Sequence, residues 1–261
     1  MPISCGRSRP VLAGAMVLSL LFSCHYAFAS GGEAPPFPLE VGVPQQHEMK
    51  ADQTLSFSLP QNNEPIYLVE IDQGGLDLKV NLRAPDGEAT VFNFPTGRDD
   101  SELLLLEPGT GRPQTLTVYS EEFTGAVAQP RILLTRIDAS DELLPAYRLL
   151  SDSADAYSDF EWEVTLENLK QACPQLDGPD TSALFARCQL GMATVLGWDA
   201  ADYDNALEAV ALAERAYEDS GNRTLAAAAS FLRASFLIEK TGEIEKTPSQ
   251  GIAPEAQALF D

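Results

Sequence analysis

The chain has 261 residues, with 39 acidic against 17 basic side chains and a formal net charge of −22 at pH 7. An affinity for nucleic acid or for an anionic membrane surface requires basic surface, so this balance argues against both. With 44% apolar residues the chain is long enough for two packed units.

Residues 1–29 read as a secretory leader. Arg7 and Arg9 form a basic start, and Val11 to Phe22 is an apolar run too short to span a bilayer. Ala27-Phe28-Ala29 is a small-x-small site, which predicts cleavage between Ala29 and Ser30. Leu21-Phe22-Ser23-Cys24 is a poorer match to a lipid-attachment site, with lipidation of Cys24 as the rival outcome. Two arginines and no acids leave with the leader, so −22 becomes −24. The expected location is periplasmic or extracellular, with no integral membrane segment once the leader is gone. Residues 30–50, rich in Gly and Pro as far as Pro44, read as a flexible linker.

Seven strands follow, at Thr54 to Leu59, Ile66 to Ile71, Leu76 to Leu82, Thr90 to Phe94, Leu103 to Leu106, Thr115 to Tyr119 and Arg131 to Ile137. Leu76, Leu78, Val80 and Leu82 alternate with Asp77, Lys79, Asn81 and Arg83, the period of a strand with one face on a core and one in water. Asp72 to Gly75 reads as a hairpin turn between the second and third strands. Leu103 to Leu106 is continuously apolar, as in a strand covered on both sides. Short strands broken by turn residues predict an antiparallel β-sandwich over residues 51–138.

After Asp138 the residues shift to Ala, Leu and Glu at helical spacing. Helices are expected at about 141–155, 159–173, 181–197, 203–219 and 224–241. They pair as hairpins over residues 141–245, with 246–261 as a tail. Gly197 and Gly242 close equivalent helices 45 residues apart. Leu190, Gly191, Tyr203, Ala206 and Ala213 match a tetratricopeptide (TPR) pattern, the small residues allowing close helix packing. The fold class is therefore all-β plus all-α, an antiparallel sandwich followed by TPR-like α-helical hairpin repeats.

Asp72, Gly75, Asp77, the Pro85-Asp86-Gly87 turn, Glu102 before an apolar strand and Leu116 to Val118 carry a resemblance over about residues 50 to 137. The region resembles the pre-peptidase C-terminal (PPC) type of sandwich. It resembles more closely the front of secreted bacterial proteins that continue into TPR repeats and a caspase-like CHAT peptidase domain. The last strand departs from that pattern at Gly125-Ala126-Val127-Ala128. Such peptidases use a His and a Cys in a later domain that has no counterpart here, so no catalytic residue is carried over.

The residues offer little chemistry of their own. His25 leaves with the leader, and His47, in the linker, is the one remaining histidine. Cys5 and Cys24 also leave, and Cys173 with Cys188 is a candidate disulfide, two buried thiols being the alternative. Asp72, Asp77, Asp86, Asp99, Asp100 and Glu102 are a weak calcium candidate without a DxDxDG loop. Gly109 to Arg112 lacks the end of a P-loop. Asn222-Arg223-Thr224 is a chance sequon. Phe160, Trp162 and Tyr217 read as core, and Phe94 and Tyr119 as candidates for a ligand-binding aromatic face.

These features predict a non-enzymatic protein without cofactor, whose helical repeats bind a protein or peptide. The alternatives are a truncated or split regulatory front of a CHAT-type peptidase, and a ligand-binding sandwich.

Overall fold

The computed structural model describes residues 35–61, 64–85, 87–97, 100–109, 115–120 and 126–242. The expected leader, the Ala29–Ser30 site, Cys24, Asp86, Asp99, Thr110 to Arg112, Gly125 and the 246–261 tail lie outside them.

Eleven strands are described: β1 (Phe37–Pro38), β2 (Gln45–Gln46), β3 (Met49–Lys50), β4 (Thr54–Ser58), β5 (Ile66–Asp72), β6 (Leu78–Arg83), β7 (Ala89–Phe92), β8 (Ser101–Leu106), β9 (Thr115–Ser120), β10 (Val127–Ala128) and β11 (Arg131–Ile137). One sheet runs β1-β4-β9-β6-β7 and a second β2-β11-β5-β8, with a short β10-β3 ribbon. All pairs are antiparallel except β1 with β4. In β6 the alternation holds: Leu78, Val80 and Leu82 face the core while Lys79 and Asn81 are half-buried on the other face.

Two expectations change here. β5 and β6 are not a hairpin, because β5 pairs with β8 and β11 while β6 pairs with β7 and β9. Residues 73 to 77 instead carry the chain from one sheet to the other. Gly74, at φ +62°, sits so close to the backbone of Gln129 that a Cβ would lie 2.9 Å from its carbonyl carbon. Buried Gln73 fills the crossover, donating to the Gly97 carbonyl and to Glu102 and accepting from the Leu78 N–H. The linker reading fails from Pro35 onward. β1 extends the first sheet, β2 extends the second, and Leu39 and Met49 are buried in the core. Apolar side chains between the prolines supply the anchoring that composition alone had hidden.

Five α-helices follow: α1 (Leu144–Ser158), α2 (Trp162–Ala172), α3 (Ser182–Thr194), α4 (Tyr203–Asp219) and α5 (Arg223–Thr241). A π turn, Val195–Asp199, extends α3. None of the described helices is long and apolar enough to cross a membrane.

α1 packs along both β8 and β7, edge strands of the two sheets. The edge N–H of Leu105 donates to Ser151 Oγ at 3.0 Å, the Asn93 N–H to the Ala154 carbonyl at 3.1 Å, and Ser158 Oγ–H to the Val91 carbonyl at 2.6 Å. Unpaired strand edges are sites of aggregation unless covered, and α1 covers β8 and the end of β7. The whole of β8 is buried as a result, which accounts for its unbroken apolar run. One hydrophobic core runs from the sheets through Leu150 and Ala154 of α1 to Leu169 of α2 and Val195. A second core joins α3, α4 and α5.

The hairpins repeat at an interval of 41 residues. Phe160, Ala201 and Gly242 all adopt left-handed backbone, at φ +62°, +53° and +61°. Glu161 and Asp202 then occupy the N-cap position, and Trp162 and Tyr203 open α2 and α4. The same interval relates buried Ala154, Val195 and Phe236 on the first helices, and Thr165 with Ala206 and Leu169 with Val210 on the second. Gly242 is thus equivalent to Ala201, not to Gly197. The interval exceeds the 34 residues of the tetratricopeptide pattern.

Small residues act where bulk is excluded. A Cβ on Gly197 would lie 2.1 Å from the Phe236 ring, so this glycine sets the approach of α5 to the π turn. Gly191 meets Phe94 and Pro95 of the sandwich, not a neighbouring helix as expected. Ala206 and Ala213 are buried in the helical core and Tyr203 is half-buried against Phe236.

Leu150 is fully buried where α1 meets the sandwich. Leu150→Ala is expected to lower unfolding free energy by about 2–5 kcal/mol, read by urea titration, because a cavity opens in a shared core.

Candidate functional site

Two arrangements stand out. The first lies where the sandwich meets α3 and α4. Asp100 precedes β8, Glu70 stands on β5, Arg187 on α3 and Tyr217 on α4. Arg187 Nε donates to Asp100 Oδ1 at 2.9 Å and its Nη2 to Glu70 Oε1 at 3.0 Å. Tyr217 donates its hydroxyl hydrogen to Asp100 Oδ2 at 2.5 Å, and the Ser101 N–H donates to Oδ1 at 2.8 Å.

Asp100, Arg187 and Tyr217 are buried, and Glu70 is partly open to a cleft of about 370 Å³ also lined by Asp72 and Asn222. Burial alone would lower the Arg187 guanidinium, but Asp100 and Glu70 outweigh it and hold the group above its ordinary value. Burial, and then Asp100, pushes the Tyr217 hydroxyl well above its ordinary value. The network ties two helices to the sandwich through Asp100 and Glu70.

Deeper in the sandwich, Glu102 accepts from the Phe94 N–H at 2.7 Å and from Gln73 at 3.0 Å. Burial raises its pKa well above the usual carboxylate range; the Phe94 bond works the other way and nearby Asp77 adds to the rise.

The calcium candidates are dispersed among these roles. Asp72 accepts from the Gly74 N–H in a turn, Asp100 holds Arg187, and Glu102 holds Gln73. Among the described residues no three His, Cys, Asp or Glu side chains are grouped as a metal site. His47, expected on a mobile linker, packs against Phe37 and edge-on to Phe57 at ring-centroid distances of 4.5 and 5.2 Å, and burial lowers its pKa. Cys173 and Cys188 are bonded, their Cα atoms 5.6 Å apart, and join the end of α2 to α3. Asn222 caps α5 by accepting from the Leu225 N–H at 3.2 Å. Phe94 is buried and Tyr119 half-buried, so Phe94 offers no ligand face.

The second arrangement is at the joints of the helical hairpins. Tyr217 is core, but Phe160 and Trp162 are not. Phe160 is 88% exposed and Trp162 36%, with Val164 at 47% and Trp198 at 48%. Phe160 is lifted out by its left-handed backbone, a conformation that bulky residues rarely adopt. The joints α1–α2 and α3–α4 lie at the same end of the array. The π turn packs on α2, and Asp199 is close enough to Tyr157 to help burial push its hydroxyl up to about 12. Neither Arg187 nor Trp198 stood out in the sequence. Arg187 sits alone in an apolar helix facing the sheet, a signal that a lone buried basic residue could have offered.

No protein-family model matches the chain and no curated protein matches it in sequence. Solved structures similar to part of it include a periplasmic inhibitor of g-type lysozyme from Aeromonas hydrophila. The two share 11% identity over 39% of this chain and 96% of the inhibitor, with a TM-score of 0.30. The pre-peptidase C-terminal domain of a collagenase from Bacillus anthracis shares 12% identity over 40% of this chain and 99% of that domain, at a TM-score of 0.26. At these scores the two likenesses decide nothing about this chain's activity. The plain architecture is a β-sandwich followed by helical hairpins.

Arg187→Leu strands the buried Asp100 carboxylate and is expected to cost about 3–5 kcal/mol in urea unfolding, part of which Asp100→Asn in the same chain restores. For Glu102 the unfolded chain ionises near 4.5 while the folded chain keeps its proton. Stability therefore falls as pH rises above 4.5, until Glu102 itself ionises. In Glu102→Gln the slope of unfolding free energy against pH over that range is expected to flatten, whatever the variant's absolute stability.

Proposed function

We propose that the chain is a secreted or periplasmic binding protein without catalytic activity, whose helical hairpins receive a protein or peptide. The observation that carries this reading is the 41-residue repetition of the hairpins. Stacked repeats build extended surfaces that serve as protein-binding platforms. The sandwich then acts as the cap at the front of the array, clamped to it by Arg187 and sealed to it by α1. The TPR-like and PPC-like descriptions belong to this reading. The acidic surface and the leader-like residues 1–29 accord with an extracytoplasmic, soluble chain.

The test uses residues 30–261 as bait in an envelope extract, with a photo-crosslinking residue at Glu208 on α4, Phe231 on α5 or Val127 beside the sandwich. All three positions are exposed. Crosslinks to one protein from Glu208 or Phe231 are the expected result. A folded monomer that crosslinks to nothing, or only from Val127, contradicts it. A peptidase as the crosslinked protein would point to a split CHAT-type arrangement.

A further inference from the structure

The end of the array that carries the α1–α2 and α3–α4 joints combines two properties rarely left together without use. Large apolar side chains stand in solvent, and the polar groups around them are nearly all of one sign. Phe160, Trp162, Val164 and Trp198 are the exposed apolar groups. Asp155, Asp159, Glu161, Glu163, Asp199 and Asp202 occupy the same turns. The carboxyl of Asp155 is held above its usual range by burial, and next by Asp159, Asp152 and Glu161, which places these acids within reach of one another. Lys240, near the end of α5, is paired with Asp204.

The geometry points to this acidic, aromatic end as the docking surface for a basic protein segment, one presenting Arg or Lys side chains to the faces of Phe160, Trp162 and Trp198. An aromatic face attracts a cation through its quadrupole, and carboxylates beside it complete the charge pairing. A second copy of this chain would set acid against acid, and an anionic membrane or nucleic acid would be repelled outright. An apolar partner without charge would bury the carboxylates unpaired, at a desolvation cost it could not offset. This inference rests on the reading of the helical array as a protein-binding surface and names the end of it that binds.

The chain's two tryptophans, Trp162 and Trp198, both lie at this end, so intrinsic fluorescence reports it directly. The mature chain is titrated with an alternating arginine–glycine decapeptide, and with its glutamate–glycine counterpart. A saturable fluorescence change with the arginine peptide alone is expected. Combined Phe160→Asn, Glu161→Gln and Asp199→Asn substitution should weaken it by about tenfold or more, the scale of a cation–π contact with its charge partner. Asparagine tolerates the left-handed backbone at 160, and all three positions are exposed, so the fold is preserved. A control variant, Asp177→Asn with Asp219→Asn, removes an equal number of charges at the opposite end and should bind within about twofold of the parent.

No fluorescence change, or equal weakening in both variants, overturns the inference, since the binding would then be absent or a property of net charge alone. Crosslinks from Glu208 or Phe231 to a protein partner alongside such a failure would leave the array a binding surface and remove only this end of it. Failure of both would remove the broader reading as well.

Discussion

Everything past the sandwich depends on a gap between two strand edges. The two sheets end on one side at β7 and β8, whose outward N–H and C=O groups need partners that the sheets cannot supply. α1 fills that gap with apolar side chains and meets the edges with Ser151, Ser158 and the Ala154 carbonyl. An edge left open invites pairing with another chain, whereas an edge covered by a helix does not. Once α1 is seated, α2 packs on it, the disulfide ties α2 to α3, and the later hairpins follow in register. The sandwich and the first helical hairpin therefore share one core, and the later helices build a second one beside it.

The buried charges act on the same junction from the other side. Asp100 and Glu70 belong to the sandwich, and Arg187 and Tyr217 to the helices. Buried ion pairs contribute little net stability compared with apolar packing, but they are intolerant of displacement, because a shift strands a charge. Such a clamp fixes where the array leaves the sandwich. Gly191, packed on Phe94 and Pro95, adds a steric stop at the same place. A surface presented by the later helices is then held at a set position relative to the sandwich.

Much of the element order was legible because it rests on periodicity. The alternation through Leu82 and the helical spacing of Ala206, Val210 and Ala213 mark strand and helix from local pattern alone. Long-range choices were not legible. Nothing local says that β5 and β6 join different sheets, since a turn at Gly74-Gly75 serves a hairpin as well as a crossover. What decides it is the close approach of Gly74 to Gln129, 55 residues away. The Gly-Pro content of residues 35 to 50 suggested a linker, yet Leu39 and Met49 find apolar seats that composition cannot reveal. At the hairpin joints Phe160 and Trp162 have helical spacing and so read as core. The left-handed turn that turns Phe160 outward is visible only as a backbone angle.

By sealing β8 and the end of β7, α1 makes sandwich and helices a single cooperative unit. Hydrogen exchange followed through a urea titration tests this, comparing amides of β5 and β11 in the sandwich with amides of α4. The most protected amides of both regions are expected to share one unfolding free energy and one dependence on urea. Sandwich amides that stay protected after α1 and α4 have opened would contradict it, since the sheets would then hold their core without the helix that seals them.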